Sequence, residues 1–513
     1  MKKVVLDAVS IPIYWTRLVS IVDEAAATFA RTAFSSLVRE ANDFAVLITD
    51  TEGRAIIESS LSIPAFIGTL PETIRHFIRE IGDDLREGDV LVTNDPWMGT
   101  GHVHDVSTAM PLFAGGRHIG FAAVASHVAD IGGKLRGTNS REIYEEGLQI
   151  PPIKLFDQGR LDRTAEAFIK RNVRVPEMVM GDLLGQVSAE RMVAERLQAL
   201  LAETGVDFAA LAEAICSRSE AAMRKAIAAL PDGRHSYALP LEVIREPVVL
   251  NALVEIAGDT LTIDFEGSSP QQEWAINVVP TYTRTYAAYA IKALLVPEVP
   301  NNHGCLAPVR VLAPEGSILN PRYPAATGAR SMVGHQLPAS VMGAMAAVLP
   351  NGVRASGAGV SSFTLAGRHR GRAFALACFA NGGQGASAIS PGLSALSFPS
   401  NMANTPIEVL EGEAPIRILE RGLRKGSGGR GRQCGGEGIR LVFGYIGSDP
   451  APCSFMLTHA RSGPPGLQGG EAGAAARLVI NGEARDFAVP CVLRAGDVVE
   501  METAGGGGFG PAG

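Results

Sequence analysis

Cysteine is scarce. Six residues in 513 (Cys216, Cys305, Cys378, Cys434, Cys453 and Cys491) form neither a Cys-x-x-Cys pair nor a dense framework, which argues against a disulfide-stapled fold and for a reduced, cytoplasmic setting. A basic excess is also missing. Lys and Arg number 46 against 53 Asp and Glu, a formal charge of −7, so the chain lacks the electrostatic footprint of a nucleic-acid binder. No stretch approaches the roughly 20 apolar residues that a bilayer span needs. Asp7 interrupts the apolar run after Met-Lys-Lys before a signal-peptide core can form. Internal repeats and disordered linkers are absent as well. The expectation is a soluble cytoplasmic protein that binds neither nucleic acid nor membrane.

What is present is apolar and glycine-rich. Hydrophobic residues make up 46% of the chain, enough for a large interior, and this length implies two to four compact units. The 58 glycines and 31 prolines concentrate after residue 300 and predict a turn-rich, mostly β C-terminal part. The fold class expected is α+β, with regions 1–172, 173–235, 236–410 and 411–513. Apolar spacing predicts a helix over 12–34, then strands from Phe44 to Thr49 and from Ala55 to Glu58. Thr69, Pro71 and Glu72 suit the start of a helix, and a strand runs from Val90 to Thr93. A long helix from Val175 ends at Gly205, Asp207 caps the next, and the two are expected to pack as an antiparallel hairpin. Strands over 239–265, helices from Tyr282 and Val333, and short strands beyond Ile416 complete the reading.

The chemistry concentrates between Thr93 and Gly133. Two alternating runs flank Gly115-Gly116 and read as a β-hairpin. Ideal pairing about that tip sets His127 opposite His104; a three-residue turn would instead bring Asp105 opposite His127. Either way His102, His104 and Asp105 meet His127 and Asp130 across a strand pair. Two imidazoles with carboxylates suit Mn, Fe or Zn better than the oxygen shell of Mg or Ca. The alternative is a hairpin mouth whose histidines and aspartates satisfy one another by hydrogen bonds.

Other groups carry weaker signals. Asp43, just before a strand, fits a turn; Asp95 fits a loop-shaping side-chain bond; Asp130 is expected to orient His127. Gly426 to Gly431 matches Gly-x-Gly-x-x-Gly, but a strand follows instead of the required helix, so it reads as a tight connection. The run Gly505–Gly508 could approach an anion with its amides and reads better as a closing turn. Cys305, two residues from His303 on what reads as an extended segment, has nothing to lower its thiol pKa and is expected to be buried and structural. His335 receives no role.

The runs TNDPWMGTGHVHDVS, SHVADIGG, EIYEEGLQIPPIKL, NVRVPEMVMGDL, APEGSILNPRYPAA, NTPIEVLE, SGGRGRQCGGEGI and GGGGFG occur in order along nearly the whole chain. Together they resemble the hydantoinase B/oxoprolinase family. The resemblance implies a subunit that works with a hydantoinase-A-type partner, which binds ATP and phosphorylates the carbonyl of a cyclic amide (hydantoin, 5-oxoproline or lactam). This chain, which has no Walker A motif of its own, would then open the ring as part of a hetero-oligomer. A ketone carboxylase subunit is the related alternative, and a non-catalytic scaffold for the ATP-binding partner is another. The family pattern maps a divalent transition-metal site onto His102, Asp105 and His127, with Asp43 as a further ligand; His104, which ideal pairing sets opposite His127, is kept as a supporting or general-base residue. Two departures stand out: Phe66 takes the place of a family histidine, and the loop after Gly133 is short.

Overall fold

Phe44 to Thr49 reads FAVLIT, and a strand without polar positions is stable only where both of its faces are covered. The structure, a computed structural model, describes residues 6–513; residues 1–5, on which the leader reading partly rests, lie outside it. The run forms β1 (Phe44–Thr49) in an antiparallel sheet with β2 (Ala55–Glu58), β3 (Val90–Thr93), β4 (Asp105–Ala114), β5 (Arg117–His127), β6 (Ile153–Asp157) and β7 (Arg160–Leu161). Their order is β2-β1-β5-β4-β3-β6-β7.

Helices cover both faces. They are α1 (Ser10–Thr32), α2 (Ser36–Arg39), α3 (Phe66–Ile81), α4 (Arg163–Asn172), α5 (Pro176–Thr204) and α6 (Phe208–Ala228). Successive strand residues face opposite ways. Phe44, Val46 and Ile48 therefore join Leu18, Val22 and Phe29 of α1 and Val193 of α5 in one core. Ala45 and Leu47 join Leu70, Ile74 and Phe77 of α3 in another.

Two expectations are corrected here. The third helix starts at Phe66, so Thr69 and Pro71 lie inside it; the Thr69 hydroxyl donates to Ala65 O instead of capping. Helices α5 and α6 break at Gly205 and Asp207 as expected, but they do not lie along one another. Helix α5 rests on α1 and the β4–β5 hairpin, while α6 packs chiefly on the one-turn helix α8 (His303–Leu306). The apolar stripes of both helices are thus answered by other elements.

A second sheet, β8 (Gly233–Glu242), β9 (Pro247–Ala257), β10 (Thr260–Asp264) and β11 (Val309–Leu312), packs with α7 (Pro280–Leu295), α9 (Ser331–Gly334) and α10 (Leu337–Met345). Helix α7 also touches α3, which brings this middle region against the first sheet. The remaining chain adds a four-stranded and a five-stranded sheet, so the fold class is α+β, with a β-rich C-terminal part. The Gly505–Gly508 run is not a turn but a buried segment set between loops. Gly506 N–H donates to Gly436 O, Gly507 N–H to Ser356 O and Gly508 N–H to Glu471 O, each at 2.9 Å. These amides already have carbonyl partners, which leaves none of the three free for an anion. Among the described residues, no helix is long and apolar enough to cross a membrane.

Candidate metal centre

Three neighbouring strands end in one row. Phe44 pairs with Ser126 and Asp105 pairs with His127, so Asp43, His127 and Asp105 sit side by side. By alternation they share the face of Ala45, Ala125 and Ala109, which is directed toward α3 and α7. The ideal register, with His104 opposite His127, does not hold. The tip is the two-residue turn Gly115-Gly116, and near it Phe113 faces His118; beyond it Leu112 faces Gly120. Ile119 is thus an extra residue in β5, a β-bulge that moves every deeper pair by one position. The shift foreseen for a longer turn occurs, but its cause lies in the strand.

His102, on the turn before β4, completes a compact trio. Its Nε2 lies 2.7 Å from Asp105 Oδ1, and His127 Nδ1 lies 2.8 Å from the same oxygen. The three donor atoms lie within 4.8 Å of one another, and all three residues are buried. His102 Nε2 makes no hydrogen bond among the described residues despite that proximity. An orphaned buried nitrogen beside a shared carboxylate oxygen fits a divalent ion, and two imidazoles with one carboxylate suit Zn, Mn or Fe. Asp43 lines the same cavity but is not part of the compact trio.

The rest of the wall comes from far along the chain. Arg330 donates from Nη2 to Asp105 Oδ2 at 2.8 Å and from Nε to Thr100 O at 2.8 Å, with its guanidinium 4.4 Å from the Tyr282 ring centre. Arg136, in the loop after β5, donates from Nε to Gly328 O at 3.1 Å. Glu146 accepts the N–H groups of Thr327 and Gly328 at 2.9 and 2.7 Å and so pins the segment that carries Arg330. Phe66, Tyr286, His335 and Phe379 also line this cavity of about 40 Å³.

Burial and charge set the protonation states. Burial pushes the Asp43 carboxyl up to about 6, against the pull of His127. Burial also opposes ionisation of Asp105, but His102 and Arg330 beside it hold its pKa well below the usual range. The His102 ring is held well below its ordinary value by burial and then by Arg330. His335 is pushed down to about 3 by burial, Arg330 and Arg136. Neutral imidazole is the form that ligates metal.

The remaining expected site residues lie elsewhere. His104 stacks on His127, ring centres 5.7 Å apart, and does not line the cavity. Asp130 does not orient His127: its carboxylate takes the Arg174 guanidinium at 2.6 Å and the Gly132 N–H at 3.2 Å, fastening the start of α5, while His127 turns to Asp105. Asp95 shapes its loop, accepting the Trp97 N–H at 2.9 Å. Cys305 is buried, though on a helical turn and not an extended segment, and burial raises its thiol pKa. Arg136, Tyr282, Arg330 and His335 line the cavity although the sequence pattern assigns none of them a site role. The small polar run Thr327 to Ser331 gives no periodic signal of its destination.

The family model described as hydantoinase B/oxoprolinase matches residues 7–512. A protein of Pseudomonas sp. (strain NS671) assigned as the B-type chain of a D-/L-hydantoinase is 30% identical over 461 residues, covering 85% of this chain and 78% of that protein. The 5-oxoprolinase of Dictyostelium discoideum is 26% identical over 527 residues, 98% of this chain but 40% of that longer protein. Among solved structures, the ATP-dependent caprolactamase from Pseudomonas jessenii superposes with a TM-score of 0.90 at 25% identity, over 99% of this chain and 92% of that one. Nucleotide-free acetone carboxylase superposes at 0.91 with 19% identity, over 98% and 75%, a likeness of fold. With the family pattern matched from residue 7 to residue 512, this chain belongs to the hydantoinase B/oxoprolinase family.

Proposed function

We propose that this chain is the metal-dependent subunit of an ATP-dependent cyclic amidohydrolase. It opens a hydantoin, 5-oxoproline or lactam ring whose carbonyl a hydantoinase-A-type partner has phosphorylated. The observation that carries the reading is the buried trio of His102, Asp105 and His127 on one cavity wall, in a chain of this family. The trio would hold a divalent transition metal. When bound, such an ion supplies Lewis acidity, lowering the pKa of water and polarising a substrate oxygen.

The chain's own residues supply the rest. Arg330 fixes the Asp105 carboxylate by its Oδ2 and so keeps Oδ1 aimed at both imidazoles. Asp43, with a pKa of about 6, is ionised at neutral pH and can take a proton at its carboxylate. Phe66, Tyr286 and Phe379 exclude bulk water, which strengthens each electrostatic contact inside. Phe66 also makes this wall more apolar than the family histidine would.

Metal content of the purified chain and ATP-dependent turnover with its coexpressed partner test the reading. His102→Ala and Asp105→Ala are each expected to lower bound metal and reduce ring opening about a hundredfold or more. Unchanged turnover in both variants would sink the mechanism, and ketone-dependent bicarbonate fixation by the complex would replace it with the carboxylase reading.

A further inference from the structure

Arg136 is a buried charge with no carboxylate hydrogen-bonded to it. It is 6% exposed, and its polar contacts are neutral: Gly328 O at 3.1 Å from Nε and Ser331 Oγ at 3.4 Å from Nη2. Its Nη1 has no hydrogen-bond partner among the described residues. Phe379 covers the guanidinium at 5.8 Å. The carboxylates of Asp43 and Asp105 act on it only through space. A guanidinium keeps its proton even when buried, and an unpaired buried charge is costly. The side chain lines the same cavity as the metal trio, so an anionic ligand arriving there would supply the missing partner.

The charge count indicates which anion. Asp43 and Asp105 offset Arg136 and Arg330 before any metal is present, so a divalent ion adds two positive charges that the wall does not cancel. A phosphoryl group carries about −1.5 to −2 near neutral pH, whereas a carboxylate or bicarbonate carries one charge. The cavity of about 40 Å³ has room for a few water-sized atoms, the scale of a phosphoryl head. The planar guanidinium also suits phosphate oxygens better than an ammonium does.

We propose that Arg136 is a phosphoryl receptor: through its free Nη1 it holds the phosphate of an O-phosphorylated substrate against the metal trio, and so selects the activated amide over the free ring. The inference rests on the proposed reading only in taking this cavity as the place where the activated amide reacts.

The test is calorimetric titration of the full chain, Mn²⁺-loaded and EDTA-treated, with inorganic phosphate and separately with bicarbonate. Wild type is expected to bind phosphate saturably and bicarbonate about tenfold more weakly or worse. Arg136→Gln is expected to lose about tenfold or more in phosphate affinity, and Arg136→Lys to fall between, since it keeps the charge and loses the fork. An unchanged thermal midpoint in phosphate-free buffer establishes that each variant is folded. Should Arg136→Gln not fold, Arg136→Lys carries the test, and wild-type phosphate affinity in it overturns the assignment. Absence of saturable phosphate binding to the Mn²⁺-loaded wild type, or tighter binding of bicarbonate, overturns it equally. Phosphate binding that depends on Arg136 in a complex that never opens a ring would count against the proposed function and leave the receptor standing.

Discussion

Glu146 never touches the trio, yet the trio's surroundings hang on it, because it holds the two amides that precede Arg330. Burial raises its carboxyl to about 7 from an ordinary 4.5. Between those values the unfolded chain has released a proton that the folded chain keeps, so stability falls as pH rises through that window. The loss amounts to about 3 kcal/mol once pH exceeds 7. Glu146→Gln keeps the oxygen that accepts both amides and removes the ionisation. Denaturant unfolding at pH 5 and pH 8 should show the difference between the two shrink by about 2.5 kcal/mol in the variant. An identical pH dependence would mean that Glu146 does not titrate there; the slope that remains belongs to groups such as Asp43 and Glu58, which burial also raises. At this scale the sequence was half legible. His102, Asp105 and His127 stand in motifs and near a turn, but Arg330 lies 225 positions from Asp105. Nothing in a run of Thr, Gly, Ala, Arg and Ser announces a buried charge. Asp130 misled for the opposite reason: it lies three residues from His127 in sequence, yet its strongest partner, Arg174, approaches from another element.

The hairpin was legible from its turn and its alternation, and illegible in its register. Gly115-Gly116, both with positive φ, form the kind of two-residue loop that ideal pairing assumes. The bulge at Ile119 has no sequence signature of its own beyond a following Gly120. It leaves ten residues of β4 answered by eleven of β5. Deleting Ile119 removes the unopposed residue and keeps Asp105 facing His127, so the purified variant should retain wild-type metal stoichiometry. Deleting Val124, on the site side of the bulge, should bring Val128 opposite Asp105 and turn His127 to the other face. Its metal content should fall to background. Metal retained after the second deletion, or lost after the first, would show that the register does not position the trio. Pro71 suits a first turn, but the burial of Phe66 and Ile67 extends helix α3 one turn further toward its start.

At the scale of the molecule, glycine composition correctly pointed to a β-rich C-terminal part, but not to how tightly its loops are fastened. Gly506 is buried in extended chain, and a Cβ there would lie 2.0 Å from Gln384 O. Gly506→Ala is expected to destabilise the protein by about 3 kcal/mol, seen as a lowered midpoint in urea; a midpoint within error of wild type would refute the close packing. Such contacts between segments over a hundred residues apart leave no local pattern to read. The same reach across the chain shapes the candidate metal centre. Arg330, delivered by the middle region, occupies Asp105 Oδ2 and leaves only Oδ1 facing the imidazoles. An ion held there would meet the carboxylate through one oxygen, so the trio amounts to three single donors. Structural zinc sites close with four protein ligands, whereas catalytic ones keep a coordination position for water or substrate. By governing denticity, an arginine that is not itself a ligand would keep an ion held here one donor short of saturation.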